Sequence, residues 1–209
     1  MHFSGKYIRH AVFVLLGVVN TLSIHAQTAQ ASPTRDERLK KQESKMVFPL
    51  IKASYLSGVI PVENAALKAG PNEQVKLMFD FTQATSAGKQ ATKVNEGLEE
   101  VARILNIHVL SGIKKENIKA VVVFHAGSII SVLSENYYQQ NYQAANPNIA
   151  MLNQLQAAGV ELYICGQSLA LREIPASMVL PQVKVALAAK TTLTHFDALG
   201  YYEFVIKAE

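Results

Sequence analysis

Lys119-Ala120-Val121-Val122-Val123-Phe124-His125 is apolar at every position between its first and last residues. A half-exposed strand alternates polar with apolar side chains. An unbroken apolar strand belongs in a parallel sheet with helices over both faces. Three more stretches have strand character: Val75 to Phe81 (VKLMFDF), Val160 to Cys165 (VELYIC), and Tyr201 to Ile206 (YYEFVI), which follows Gly200. Helical patterns lie between them. Residues 89–106 carry Val94, Leu98, Val101 and Leu105 at helical spacing. Ile129 to Leu133 begins a helical segment, and Ile149 to Ala158 forms a helix that Gly159 ends as its C′ residue. Residues 176–197 read as a helix interrupted at Pro181. Strands alternating with helices imply βαβ units with right-handed crossovers. The expected fold is α/β, a three-layer α/β/α domain with a mostly parallel sheet.

The N-terminus has a different character. Lys6 and Arg9 form a basic region, Ala11 to Val19 is a short apolar run, and Ile24-His25-Ala26 suits cleavage before Gln27. This reads as a signal peptide over 1–26 and predicts export to the periplasm or beyond. The run is too short for stable membrane insertion, which needs ~20 apolar residues. Removing it leaves 18 basic against 16 acidic residues, and only His108, His125 and His195 of the six histidines. So balanced a chain lacks the clustered cations that nucleic-acid binding needs, and no nucleic acid is expected as a partner. Residues 27–44 are polar and charged, a disordered linker by composition. Residues 45–71 mix apolar pieces with Pro49, Pro61 and Pro71, and read as an ordered arm over the domain or a neighbouring subunit. The α/β domain then covers 72–209.

Cys165 is the only cysteine, so no disulfide framework exists. It stands at the end of a strand, followed by Gly166-Gln167-Ser168. In open parallel sheets, ligands bind beyond the carboxyl ends of the strands. Those ends carry Asp80, His125 and Cys165, an acid, an imidazole and a thiol. Each also has a plain structural reading: Asp80 as a loop cap, His125 as a satisfied strand-end histidine, Cys165 as a small buried hydrophobe. The chemical reading starts from the thiolate, the nucleophilic form of cysteine. Backbone N–H groups of a turn at Gly166, Gln167 and Ser168 would stabilise it, and His125 or Arg172 would add positive charge.

Several motifs are missing. There is no GxGxxG after the first strand, no P-loop, no CxxC, no HExxH and no zinc-ligand spacing. Neither a cofactor nor a metal is therefore expected. Ser86-Ala87-Gly88-Lys89 echoes a phosphate loop only weakly.

Taken in order, VKLMFDFT, VVVFHAGSI, LQAAGVELYICGQSL, LPQVKVALAA and ALGYYEFVI resemble the DsrE/DsrF-like (YchN-like) sulfur-relay family over residues 72–207. The resemblance is strongest to exported single-domain members, and ICGQSL is its most specific part. It implies a three-layer domain that assembles into trimers or hexamers. It also implies that Cys165, through ICGQSL, carries a persulfide between a donor and an acceptor protein. His125 and Asp80 are not part of that inference. They rest on the geometry of the strand ends.

Two functions follow. The first is a sulfur carrier or thiol-reactive protein acting through Cys165, with the Gly166–Ser168 turn around the sulfur and His125 assisting proton movement. The second is a non-catalytic oligomeric binding protein using the same edge as a pocket. The apolar fraction of 49% and the tyrosines fit buried subunit contacts. A hydrolase built on Cys165, His125 and Asp80 is a third, weaker reading.

Overall fold

The computed structural model describes residues 34–84 and 92–208. The leader expected over 1–26, residues 27–33 and Ser86-Ala87-Gly88-Lys89 lie outside them. Five strands form one sheet: β1 (Val75–Phe81), β2 (Ile118–Phe124), β3 (Val160–Cys165), β4 (Lys184–Ala186) and β5 (Tyr202–Ile206). Their order is β4-β3-β2-β1-β5, and every pairing is parallel. The all-apolar β2 is the central strand, as its composition requires.

Register decides which side chains share a face. Leu77, Phe79 and Phe81 align with Ala120, Val122 and Phe124, and these with Val160, Leu162 and Ile164. All nine belong to the main core, which α2 (Glu96–Leu110), α3 (Glu135–Tyr142) and α4 (Ile149–Ala157) cover with Leu98, Val101, Leu105, Tyr138, Leu152 and Leu155. Met78, Val121, Val123 and Cys165 face the other way, against Ala189 and Phe196 of α6 (Ala189–Ala198). The architecture is α/β/α with one thick layer and one thin one. Phe81 and Phe124 pack with ring centroids 4.9 Å apart and planes tilted by 42°, both fully buried. Truncating either to alanine would cost about 3–5 kcal/mol.

Several elements differ from the sequence expectation. The helix read over 89–106 is α2, Glu96–Leu110. Asn95 caps it by accepting from the Gly97 N–H at 3.0 Å, which leaves Val94 ahead of the helix rather than on its apolar face. Residues 176–197 are not one interrupted helix. They form a short 3₁₀ turn at Ala176–Met178, the edge strand β4 and then α6. Pro181 and the pairing of Lys184, Val185 and Ala186 with Tyr163, Ile164 and Cys165 override the helical spacing. Ile129 to Leu133 falls largely within a 3₁₀ run, Ala126–Val132. Gly159 follows α4 with φ +89°, a conformation that glycine adopts freely.

Within the stretch whose composition suggests disorder, Arg35–Glu43 forms helix α1 with no buried residue. Asp36 and Glu37 in its first turn and Lys40 and Lys41 in its last complement the helix dipole. Residues 45–71 pack on α2 of their own chain. Val47 bridges Val59, and the fully buried Asn106 of α2 holds the arm by its backbone. Its Oδ1 accepts from Leu50 N–H (2.8 Å) and Ile51 N–H (2.9 Å), and its Nδ2 donates to the carbonyls of Ile51 and Ser57, both at 2.8 Å.

Candidate functional site

Side chains alternate faces along a strand, so each catalytic candidate can be placed from register. Val123 aligns with Asp80 on one side and with Tyr163 on the other. Two residues on, His125 stands level with Cys165, one strand spacing of about 4.8 Å away. Asp80, His125 and Cys165 therefore all belong to the thin α6 face, at the carboxyl edge of β1, β2 and β3.

The structure joins two of the three directly. His125 Nε2 lies 2.5 Å from Asp80 Oδ1, with the two side chains 24% and 19% exposed. An ionised carboxylate can only accept, so Nε2 is the ring nitrogen that donates to Asp80. The backbone behind the histidine is also fixed. Ser128 Oγ accepts from His125 N–H at 3.0 Å and donates to the Phe81 carbonyl at 2.6 Å. Ala126 then takes φ +53°, turning its N–H onto Ser168 Oγ at 3.1 Å. Gly127 fits because a Cβ there would lie 2.6 Å from Ala84 Cβ.

Cys165 is 5% exposed and caps α5 (Gly166–Ala170), accepting from Ser168 N–H at 3.4 Å. Burial pushes the thiol pKa up. The Ser168 hydroxyl and the N–H groups of Ala189, Ser168 and Gln167 outweigh it, and the net value falls below the ordinary thiol range. Of the turn read from sequence, Ser168 N–H donates to the sulfur and Gln167 N–H adds a smaller electrostatic contribution. Gly166 has a steric role: an added Cβ would sit 2.7 Å from the Ala186 carbonyl of β4. His125 makes no hydrogen bond to the thiol among the described residues, and Arg172 Nη1 donates instead to the Ser168 carbonyl at 3.3 Å.

One contributor escaped the sequence. Ala189 N–H arrives from α6, whose start was hidden inside an expected longer helix. The Ser168 side chain was legible as a polar residue three positions after the cysteine, but its link to Ala126 depends on the fold. Among the described residues no group of three or more His, Cys, Asp or Glu side chains could hold a metal ion, and no helix is long and apolar enough to cross a membrane. Two cavities, of about 620 and about 700 Å³, lie away from the thiol, beside the arm and along β5.

No curated protein matches the chain. Among solved structures it is similar to a protein of unknown function, MTH1491 from Methanobacterium thermoautotrophicum. That likeness has 12% identity and a TM-score of 0.45, covering 63% of this chain and 99% of the other. The family comparison is more specific: the DsrE/DsrF-like family matches residues 71–204, from just before β1 into β5. The chain belongs to the DsrE/DsrF-like family.

Proposed function

We propose that this protein is an exported sulfur carrier in which Cys165 receives sulfane sulfur and passes it to an acceptor thiol. Family membership supports a sulfur-relay role. The observation that carries the reading to Cys165 is the thiol's environment. The Ser168 N–H bonds the mostly buried sulfur at 3.4 Å, and the neighbouring Ser168 hydroxyl and Ala189 and Gln167 N–H groups hold its pKa below the ordinary thiol range, which favours the anionic form that attacks sulfur.

The chemistry balances without a cofactor. The Cys165 thiolate attacks the outer sulfur of a persulfide or polysulfide donor, forming one S–S bond as the donor's S–S bond breaks. The donor leaves as a thiolate and Cys165 becomes a persulfide. An acceptor thiolate then attacks the outer sulfur, and the Cys165 thiolate departs. No net oxidation or reduction occurs. The persulfide anion keeps the donors that stabilise the thiolate. His125, held by Asp80 through Nε2, stands on the neighbouring strand end and would assist proton movement there only after its ring turns from that partner. Gly166 leaves room for the β4 backbone, and Gln167 and Ser168 supply N–H groups. Export through the 1–26 leader and assembly into a homo-oligomer complete the proposal.

The test is brief exposure of the native protein to polysulfide, followed by intact mass. A gain of one or more sulfur atoms, reversed by a reductant and absent in Cys165→Ser, supports the carrier. A native thiol that gains no sulfur, or is alkylated only in denaturant, leaves the edge as a binding surface and ends the carrier reading.

A further inference from the structure

We propose that the cavity between the arm and α2 is a second site, one that binds a single-chain amphipathic anion such as a fatty acid. This inference is independent of Cys165. The cavity is about 620 Å³, inside the range of small-ligand pockets. One wall comes from residues 46–68, ahead of the family-matched region, so the family fold alone does not supply it.

The wall is built rather than draped. Asn106 pins it with four hydrogen bonds, and at Gly58 an added Cβ would sit 2.8 Å from Met46 Sδ, so the strands of the arm are in close contact. Yet the side chains facing outward have no cover. Val62 is 69% and Leu67 90% exposed, and Ile60, Ile107 and Leu110 are each more than a third exposed. Single exposed apolar residues are ordinary, but a concave cluster marks a binding surface. The lining is mainly aliphatic, which suits a flexible alkyl tail better than a planar ring.

The polar groups at the rim select the head group. Arg103 is committed to Glu100 through Nε at 2.6 Å and Nη2 at 2.5 Å. The Ser111 hydroxyl donates to the His108 carbonyl at 2.7 Å. Lys68 makes no ion pair or hydrogen bond among the described residues. One uncommitted cation beside an apolar trough is complementary to one anionic head on one aliphatic chain.

The probes are laurate and dodecanol, titrated calorimetrically into the purified protein below their micellar concentrations. Laurate should bind one to one and raise the melting temperature. Lys68→Glu should weaken laurate about fivefold, the scale of a partly exposed ion pair, while leaving dodecanol unchanged. Leu67→Glu, at a position too exposed to disturb folding, should weaken both. No saturable binding of laurate, or binding that neither variant alters, overturns the proposal. So does an assembly that Leu67→Glu dissociates in sedimentation while laurate fails to bind, since the trough would then be covered by a second copy.

Discussion

Replacing Ser168 by alanine removes the hydroxyl that donates to Cys165 Sγ and leaves the backbone N–H donors of Gln167, Ser168 and Ala189 in place. A hydrogen bond to a charged group contributes about 1.5–3 kcal/mol. With the backbone donors remaining, the lower end applies, and about 1.5 kcal/mol corresponds to roughly tenfold in the thiol's acid dissociation constant. The sign is fixed: the thiol pKa moves up, because burial still opposes charge. A more basic sulfur is also more nucleophilic, with a Brønsted slope of about 0.4–0.5, which returns about threefold in intrinsic rate. The variant should therefore be alkylated about threefold more slowly at pH values below both thiol pKa values and about threefold faster on the alkaline plateau. The two pH profiles must cross.

Iodoacetamide modification followed by intact mass across a pH series reads this directly. Gln167→Ala, which deletes an exposed side chain and keeps its N–H, should reproduce the parent profile. A Ser168→Ala profile lowered equally at every pH would mean that access to the sulfur had changed and not its ionisation. That result, or an unchanged profile, refutes the account of the thiol given above.

Asn106→Ala should destabilise the fold by about 3 kcal/mol, since it strands buried backbone groups of the arm, and a denaturant-unfolding loss below about 1 kcal/mol would contradict the arm's anchoring. Gly166→Ala forces a Cβ against the Ala186 carbonyl and should cost about 1–3 kcal/mol in the same assay, with full stability counting against the close β3–β4 approach. Glu161 is held below the usual carboxylate range by its hydrogen bond from Lys184, 2.7 Å away. A depressed pKa adds stability above the unfolded value and loses it as pH falls through the folded one. Glu161→Gln should thus cost no more than ~0.5 kcal/mol at neutral pH, the pair being half exposed, and nothing once pH is below the carboxylate range. A difference that persists in acid would assign the effect to packing.

The strands of the sheet interior were legible because each presents an apolar run bounded by glycine or polar residues. β4 was not, because three residues on an edge are too few for a period, and Val183, Val185 and Leu187 sit at positions that a helix also allows. The helix start at Asn95 was missed for a related reason: Val94 continues the apolar spacing, but the capping Asn95 terminates it. At the site, strand order was not needed to gather Asp80, His125 and Cys165 on one edge. What spacing could not give was the partnership. Register puts His125 level with Cys165, yet its ring turns to Asp80, while the sulfur takes its donors from Ser168, Gln167 and Ala189. Those depend on where α6 begins, a fact set by β4.

Burial and exchange have to be reconciled at the same sulfur. Cys165 is 5% exposed, which protects a thiolate from adventitious reaction but also hides it from a partner. Several of its neighbours are small, although Val123 and Phe196 share its cluster. Ala186 is its neighbour in register, Ala188 and Ala189 pack in the same cluster, and Gly166 follows it directly. Leu187 and Leu171, 74% and 83% exposed, project to solvent and form no lid. A persulfide extends the reactive atom by one S–S bond, about 2 Å beyond Sγ. In the proposed carrier that length matters, because the inner sulfur would keep the Ser168 N–H while the outer one would stand farther from the core. In the proposed carrier, 5% exposure shields the resting thiol, and the added S–S length would be what brings its cargo within reach of an acceptor.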